Sequence, residues 1–420
     1  MDTILVVNAG PSSVKFQVYS IEGEGRLRRE IKGRIDGIGR RLRLRASAAN
    51  GDPLANRTYP VAAASDVAAA MEIASAWLRD EHRIHPIAVG HRVVHGGPEF
   101  DRPVLIDRGV MARLERLVAL APLQQPHNLA PVRPILANFP GLPQVACFDT
   151  AFHRTHAAVA DHYAIPHQLH AEGVRRYGFH GLSYEYIAQT LPKVAPEIAK
   201  GRVIVAHLGS GASMCALSGG RSVESTMGFS ALDGLPTGTR AGQLDPGVVF
   251  YLIAEKGMSA STVQNFLDRD CGLKGLSGVS DDLRELEASE DPKARLAVEY
   301  FIYRIGLGAG MLAAALQGLD AFVFTAGIGE NSVTMRAHAA GQLAWLGVAL
   351  DPTENSRHAR LISRPDSRIP VYVVPTDEEL MIAQHTLSLL MNRPSSTSGY
   401  RTDQAGTMDE PAAKLLASGN

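Results

Sequence analysis

The chain is poor in the residues that mark export, metal–thiolate clusters or polyanion binding. Cysteine occurs three times in 420 residues, at Cys147, Cys215 and Cys271. The three lie far apart and form no CxxC pair, which argues against a disulfide framework and against a zinc–thiolate site. Net charge is nearly absent: 42 Lys and Arg face 43 Asp and Glu, so no global field recruits nucleic acid or an acidic membrane. The N-terminus, Met1-Asp2-Thr3-Ile4-Leu5-Val6-Val7, lacks a basic segment. No uninterrupted apolar run approaches the ~20 residues that span a bilayer. A cytoplasmic protein without nucleic-acid or membrane partners is expected. GxxxxGK[ST] is missing too, which removes the P-loop enzymes.

What is present is the balance of a globular protein, 45% hydrophobic and 20% charged, with length for about two or three domains. Ile4-Leu5-Val6-Val7 reads as a buried strand, followed by the turn-rich Asn8-Ala9-Gly10-Pro11-Ser12-Ser13 and an alternating strand, Val14 to Tyr19. The pattern returns at Val203 to Leu208, Gly209-Ser210-Gly211-Ala212-Ser213 and Met214 to Leu217. Two long-period copies imply two related halves with a cleft between them, because solenoids need at least three repeats. Helical periodicity over 64–80, 110–121, 182–191 and 293–319 alternates with Val/Ile-rich strands near 87–94, 144–149, 321–326 and 370–374, so the class is α/β. Gly306-Leu307-Gly308-Ala309-Gly310 has the look of a dinucleotide fingerprint, but it sits inside an Ala-rich helical run, and these glycines read as close helix packing. From Pro394 to Asn420 the composition predicts a mobile tail.

Either hairpin alone reads as a plain β-turn. As matched copies they point to a nucleotide between the halves, since glycine lets backbone N–H groups approach phosphates and serine adds donors. A third glycine cluster, Thr325-Ala326-Gly327-Ile328-Gly329-Glu330-Asn331, follows a buried strand and precedes a predicted helix over 332–340. Such a turn can pass beneath a purine and aim helix N-terminal N–H groups at a ligand. His153, His156, His162, His167 and His170 match neither HExxH nor a Cys/His spacing, and read as loop or helix-surface residues.

Asn8 to Phe16, His91-Arg92-Val93-Val94-His95-Gly96-Gly97, Cys147 to His153, Tyr177-Gly178-Phe179-His180-Gly181, Gly238-Thr239-Arg240, Ser280 to Arg284, Gly327 to Asn331 and Glu378-Glu379-Leu380 follow one another along the chain. In this order the sequence resembles the acetate kinase family, within the superfamily of acetate and sugar kinases, heat-shock chaperone ATPases and actin. The likeness runs to about residue 392. It implies an α/β, two-lobed, duplicated ribonuclease H-like (actin-like ATPase) fold with an interlobe cleft. The lobes expected are 1–150 plus 378–393, with a closing helix, and 151–377, with the adenosine site; 394–420 would be a disordered tail.

The resemblance further implies reversible phosphoryl transfer from ATP to acetate, giving ADP and acetyl phosphate. Mg²⁺ would be the cofactor, with Mn²⁺ able to substitute, and the assembly a homodimer. Arg92, Asp149, His180 and Arg240 match catalytic positions. Asn8, Ser12, Ser13, Lys15, His207, Gly209, Ser210, Gly211, Asp282, Leu283, Arg284, Gly327, Ile328, Gly329 and Asn331 match ATP-binding positions. Arg92, Val94, Leu123, Phe179 and Ala231 match the substrate pocket, and Asn8, Asp149 and Glu378 the metal site. The chemistry suits these residue types. A carboxylic acid with a pKa near that of Glu, about 4.3, is already ionised at neutral pH and needs no general base. The obstacle is repulsion between two anions, which calls for guanidinium groups and a metal.

Several positions depart from the family pattern: Pro11, Gln124, Ser210, Ala231, Thr237, Gln243 and Asp377. Pro11 removes an N–H donor from the first hairpin. Ala231 can enlarge the acyl pocket, which keeps open a propionate or other short-chain acid kinase. A non-catalytic nucleotide-binding module of the actin or chaperone type is the alternative from another class.

Overall fold

The computed structural model describes residues 1–60 and 66–392; the tail predicted from Pro394 onward lies outside them. Two β-hairpins seed two sheets. The first contains β1 (Thr3–Ala9), β2 (Ser13–Glu22), β3 (Arg26–Asp36), β4 (Leu42–Ala48), β5 (Pro53–Tyr59), β6 (Ala88–Val93), β7 (Val104–Leu105) and β8 (Gln144–Phe148), in the order β5-β4-β3-β2-β1-β6-β8-β7. The second contains β9 (Arg202–Leu208), β10 (Ala212–Ser218), β11 (Arg221–Ser225), β12 (Ala321–Thr325) and β13 (Val371–Val373), in the order β11-β10-β9-β12-β13.

The duplication is topological as well as sequential. β3-β2-β1-β6-β8 and β11-β10-β9-β12-β13 each join an antiparallel three-strand unit to two parallel strands. Ile4, Val6 and Val7 in β1 and Ile204, Val205 and Ala206 in β9 are fully or almost fully buried. Strands covered on both faces need such unbroken apolar runs. The fold is α/β, two-lobed and actin-like, as expected, while β4 and β5 extend the first sheet beyond the shared plan.

The periodic segments form helices over Val67–His82, Arg108–Arg116, Gly181–Val194 and Pro292–Leu316. Asp66 and Asp291 cap the first and last of these through their carboxylates. Pro292–Leu316 is long and apolar enough to cross a bilayer. Ala297, Phe301, Ile305 and Leu312 on it belong to the core under the second sheet. Gly306 lies where a Cβ would come within 2.9 Å of Gln342, in keeping with helix packing.

One expectation needs correction. The glycine cluster after β12 is not an open turn but a short helix, Ala326–Asn331, separated by Ser332 from Val333–Gln342. Its orphan backbone groups find partners at both ends. Glu330 reaches back to accept the Ala326 N–H at 2.8 Å, and the buried Arg336 donates to the Gly329 and Glu330 carbonyls.

The closing helix, Glu378–Met391, packs Met381, Ile382, Ala383 and Leu387 onto Ile4, Val6, Val145 and Cys147 of the first sheet. Contact is tightest at Gly90 on β6, where a Cβ would lie 2.4 Å from Thr386 and 2.6 Å from Ile382. Gly90→Ala is therefore expected to destabilise the first lobe by about 1 to 3 kcal/mol, read as a lower Tm in a calorimetric melt.

Candidate active site

Three side chains meet at the ends of adjacent strands of the first sheet, where open α/β sheets place their ligands. Asn8 lies near the end of β1, Arg92 near the end of β6, and Asp149 follows β8 directly. Arg92 Nε donates to Asp149 Oδ1 at 3.0 Å, its Nη2 engages the second carboxylate oxygen, and its Nη1 lies 3.4 Å from Asn8 Oδ1. This is the two-pronged guanidinium–carboxylate geometry. Burial pushes the Asp149 carboxyl up, and the Arg92 charge and fork pull against that rise. Beside it, burial raises Glu378 to about 7, with Asp149 and Glu379 adding to the rise and Arg92 and Lys15 opposing it.

The motif Gly178-Phe179-His180-Gly181 joins this sheet to the second lobe. Asp149 also takes a hydrogen bond from the His180 backbone N–H, and its carbonyl accepts the Gly181 N–H at 2.8 Å. His180 itself has φ of 56°. Gly181 is required because a Cβ there would fall 2.2 Å from the Asp149 carbonyl oxygen. His153 accounts for the glycine at 178 and fixes Phe179: its ring would meet a Cβ at 2.7 Å, and its Nε2 bonds the Phe179 carbonyl at 2.9 Å. His153 is thus a fully buried structural residue, not the surface histidine its spacing predicts.

Arg240 approaches from the second lobe. Its Nη1 donates to the Ala231 carbonyl at 2.8 Å and its Nε to Thr237 Oγ1 at 3.3 Å. Neutral acceptors anchor it, and its charge remains available. Burial lowers its pKa, Asp268 opposes that, and Arg92 adds to it. A Cβ on Gly211 would lie 3.0 Å from Arg240 Nη2 and 3.2 Å from His180 Nε2, so the second hairpin passes directly beside both groups. Both arginine charges, after burial and the neighbouring His207, depress the pKa of His180.

Two cavities are lined by neighbours of these residues. One, of about 370 Å³, is lined by Val94, Leu123, Gln124, Phe179, Phe229 and Ala231 among others, with Asp268 at its wall. It gathers every apolar position matched to the acyl pocket. The other, of about 770 Å³, is lined by Gly209, Ser210, Thr237, Gly238, Asp282, Leu283, Arg284, Gly327, Ile328 and Asn331. Gly329 instead faces β12, where a Cβ on it would lie 3.5 Å from Phe324. Lys15 faces a separate groove on the first sheet with Lys32, Arg34 and Arg45, while its charge still reaches Glu378. Ser12 is exposed on the first hairpin, where its carbonyl accepts the Gly37 N–H.

Residue matching alone misses several contributors. Thr237 departs from the family pattern and proves to be an anchor for Arg240. Gln243 accepts a hydrogen bond from Arg304, and Asp377 caps the closing helix at Leu380 N. Glu330 accepts the Thr376 N–H at 3.0 Å, tying the helix Ala326–Asn331 to the segment that leads into Glu378. His162, His167 and His170 do come together, with nitrogens within 4.8 Å of one another. Yet the His162 and His170 rings stack at 3.6 Å between centroids and 9° between planes. Lone pairs in parallel planes run side by side and do not converge as a tetrahedral ion requires.

Residues 3–384 match the acetokinase family. The chain belongs to that family. It is 78% identical over 397 residues to the acetate kinase of Nitrobacter hamburgensis, covering 94% of this chain and 98% of that one. The crystal structure of Porphyromonas gingivalis acetate kinase superposes with a TM-score of 0.83 at 35% identity, covering 93% of this chain and all of that chain. A propionate kinase from Francisella tularensis superposes with a TM-score of 0.85 at 36% identity, over 92% of this chain and 100% of that chain.

The buried histidines carry a stability consequence for this acetokinase-family protein. Burial lowers His91 and His153 to about 4, His95 and His207 to about 3 and His156 to about 2. Unfolding lets each bind a proton near pH 6.5, so the unfolded state holds more protons and stability falls as pH drops from about 6.5 toward 4. Tm measured across that range should decline steeply before the carboxylates titrate. A flat Tm between pH 6.5 and 5 contradicts this picture.

Proposed function

We propose that this protein is a short-chain carboxylate kinase acting on acetate, transferring the γ-phosphoryl group of ATP reversibly to give acetyl phosphate and ADP. The observation that carries the reading is the meeting of Arg240 and His180 beside Gly211, with the Arg92 charge acting on both, next to a small apolar cavity lined by Val94, Phe179 and Ala231 and a nucleotide-sized one lined by Gly209, Ser210 and Thr237. Acetate would lay its methyl against Val94, Leu123, Phe179 and Ala231. ATP would lie along Asp282, Leu283, Arg284, Gly327, Ile328 and Asn331, its phosphates reaching Gly209, Ser210 and Gly211. The ionised carboxylate then attacks phosphorus in line, with no proton to remove. Arg92 and Arg240 offset the repulsion between nucleophile and phosphoryl oxygens, which is the main way such a site lowers the barrier. His180, neutral at pH 7, donates from Nε2 to a phosphoryl oxygen.

Asn8, Asp149 and Glu378 would hold Mg²⁺, with Mn²⁺ able to replace it. The donor set fits: two carboxylates and an amide oxygen suit a hard cation that also keeps water and phosphate ligands. Glu378, raised to about 7 beside two other acids, is a group whose ionised form a cation would favour. Once bound, the ion would screen the charge of the β- and γ-phosphates. The Arg92 fork takes one lone pair on each Asp149 oxygen, which leaves acceptor sites on Asp149 as well as on Glu378 for a cation.

The lobe boundary near residues 150 and 377, and a cytoplasmic location, belong to the same reading. Three free cysteines suit a reducing compartment. A homodimer would explain the helix Pro246–Ala254, which buries none of its residues although it carries Val248, Phe250, Tyr251 and Ile253. The Arg304–Gln243 hydrogen bond brings that helix near Tyr303 and Leu307, also exposed. Phe250→Asp should shift the protein from dimer to monomer in sedimentation, and a wild type that sediments as a monomer removes the proposal.

A second substrate is kept by the size of the 370 Å³ cavity and by Ala231 on its wall. One methylene in such a pocket shifts selectivity by about 1 to 3 kcal/mol. Trapping acyl phosphate with hydroxylamine, and comparing kcat/KM for acetate, propionate and butyrate, separates these readings. Acetate should lead, and Arg92→Ala should lower kcat by about 1,000-fold. A propionate preference above about tenfold reassigns the substrate. ATP hydrolysis without trapped product would instead favour a nucleotide-binding module.

A further inference from the structure

Two imidazoles, His180 and His207, stack at the phosphate corner with centroids 4.3 Å apart and 17° between planes. Each is attached through Nδ1 to a different buried hydroxyl. His180 Nδ1 lies 2.8 Å from Ser213 Oγ, and Ser213 Oγ is 2.5 Å from the Tyr184 hydroxyl. His207 Nδ1 lies 2.8 Å from Ser183 Oγ, which in turn donates to Thr376 Oγ1 at 2.9 Å. Ser183, Ser213 and Tyr184 are fully buried.

A hydroxyl has one proton, and that count sets the direction of both chains. Tyr184 keeps its phenol proton, since burial raises its pKa well above the usual range. Among the described residues its hydroxyl partner is Ser213, so Tyr184 donates there. Ser213 must then give its own proton to His180 Nδ1, which leaves the imidazole proton on Nε2. In the second chain the Ser183 proton is already committed to Thr376. Ser183 can only accept from His207, which places that proton on Nδ1 and leaves a lone pair on Nε2.

We infer that these two hydroxyl relays lock the stacked histidines in opposite neutral tautomers, so the cleft meets an N–H donor from His180 and a lone pair from His207. With Nδ1 accepting from Ser213, the His180 ring carries its one proton on Nε2 and is neutral; burial lowers the pKa of His207 to about 3, which keeps that ring uncharged at neutral pH. The donor stands beside Gly211 and Arg240, where a phosphoryl oxygen can accept it. The lone pair of His207 repels such an oxygen and suits a water or another N–H or O–H donor. Ser213, Tyr184, Ser183 and Thr376 are positioning residues, acting through the histidines. Their role in turnover rests on the proposed kinase activity, whereas the tautomers do not.

The test is ¹⁵N–¹H long-range correlation of the imidazole nitrogens in full-length, histidine-labelled protein at pH 7. His180 should show a pyridine-type Nδ1 and a pyrrole-type Nε2, and His207 the reverse. Ser213→Ala should release His180 to averaged nitrogen signals while His207 is unchanged, and Ser183→Ala should do the converse. Ser213→Thr, which keeps the hydroxyl, should restore the lock. In turnover, Ser213→Ala should lower kcat by about 10- to 100-fold with KM for both substrates within about twofold, and Ser213→Thr should recover most of it. Equal tautomers in the wild type, or His180 signals indifferent to Ser213→Ala, overturn the inference. Opposite tautomers in a protein that forms no acyl phosphate would uphold the relays and reject the kinase.

Discussion

Asp149 is the joint on which the site depends. Its carboxylate receives the Arg92 fork from the first sheet and a backbone N–H from His180, while its carbonyl receives the Gly181 N–H. One residue thereby orients a guanidinium of one half and starts the helix that leads into the other. That helix, Gly181–Val194, places Leu182 in the core beneath the first sheet and Tyr184, Ile187 and Leu191 in a core of the second. A shift at Asp149 would move Arg92 and His180 together, and this shared support is what preorganised charge requires.

The electrostatic arrangement around that joint is asymmetric. Arg92 is forked onto Asp149 with the Glu378 charge also acting on it, while Arg240 is held by a carbonyl and a hydroxyl. The first guanidinium is already neutralised and positioned; the second keeps an unbalanced charge in a buried setting. An anion entering between them gains most from Arg240 in attraction and from Arg92 in geometry. Anchoring a cation with neutral acceptors has the same logic at Arg336, which is fully buried on carbonyls and the Asn355 side chain. There it stiffens the helix beside the nucleotide-sized cavity.

Much of this is legible in the sequence because it is local. The hairpins at Asn8–Ser13 and Gly209–Ser213 are readable from glycine and serine between apolar runs, and their repetition foretells two sheets of one topology. The motif around His180 needs the family resemblance, since a histidine between glycines has many uses. β3, β4 and β5 escape such a reading although Arg26, Arg28, Arg34, Arg43 and Arg45 alternate with Leu27, Ile31, Ile35, Leu42 and Leu44. Dense positive charge conceals a period-2 pattern whose apolar face meets Trp77 and Ala74 of the helix below. The helix Ala326–Asn331 reads as a turn because its caps, Glu330 and Arg336, come from side chains whose reach no local rule predicts.

By itself the sequence determined the residue types, the duplicated hairpins and the elements whose signals span fewer than about 20 residues, because dihedral preference and apolar period act along the chain. Tertiary structure alone decided which atoms face each other. It chose Thr237 and the Ala231 carbonyl as the seat of Arg240, turned His153 inward under Phe179, and aligned two hydroxyl chains on two stacked imidazoles. Hydrogen-bond direction and burial depend on neighbours brought from distant positions, as Ser183 and Thr376 are, and such neighbours exist only once the sheets have packed.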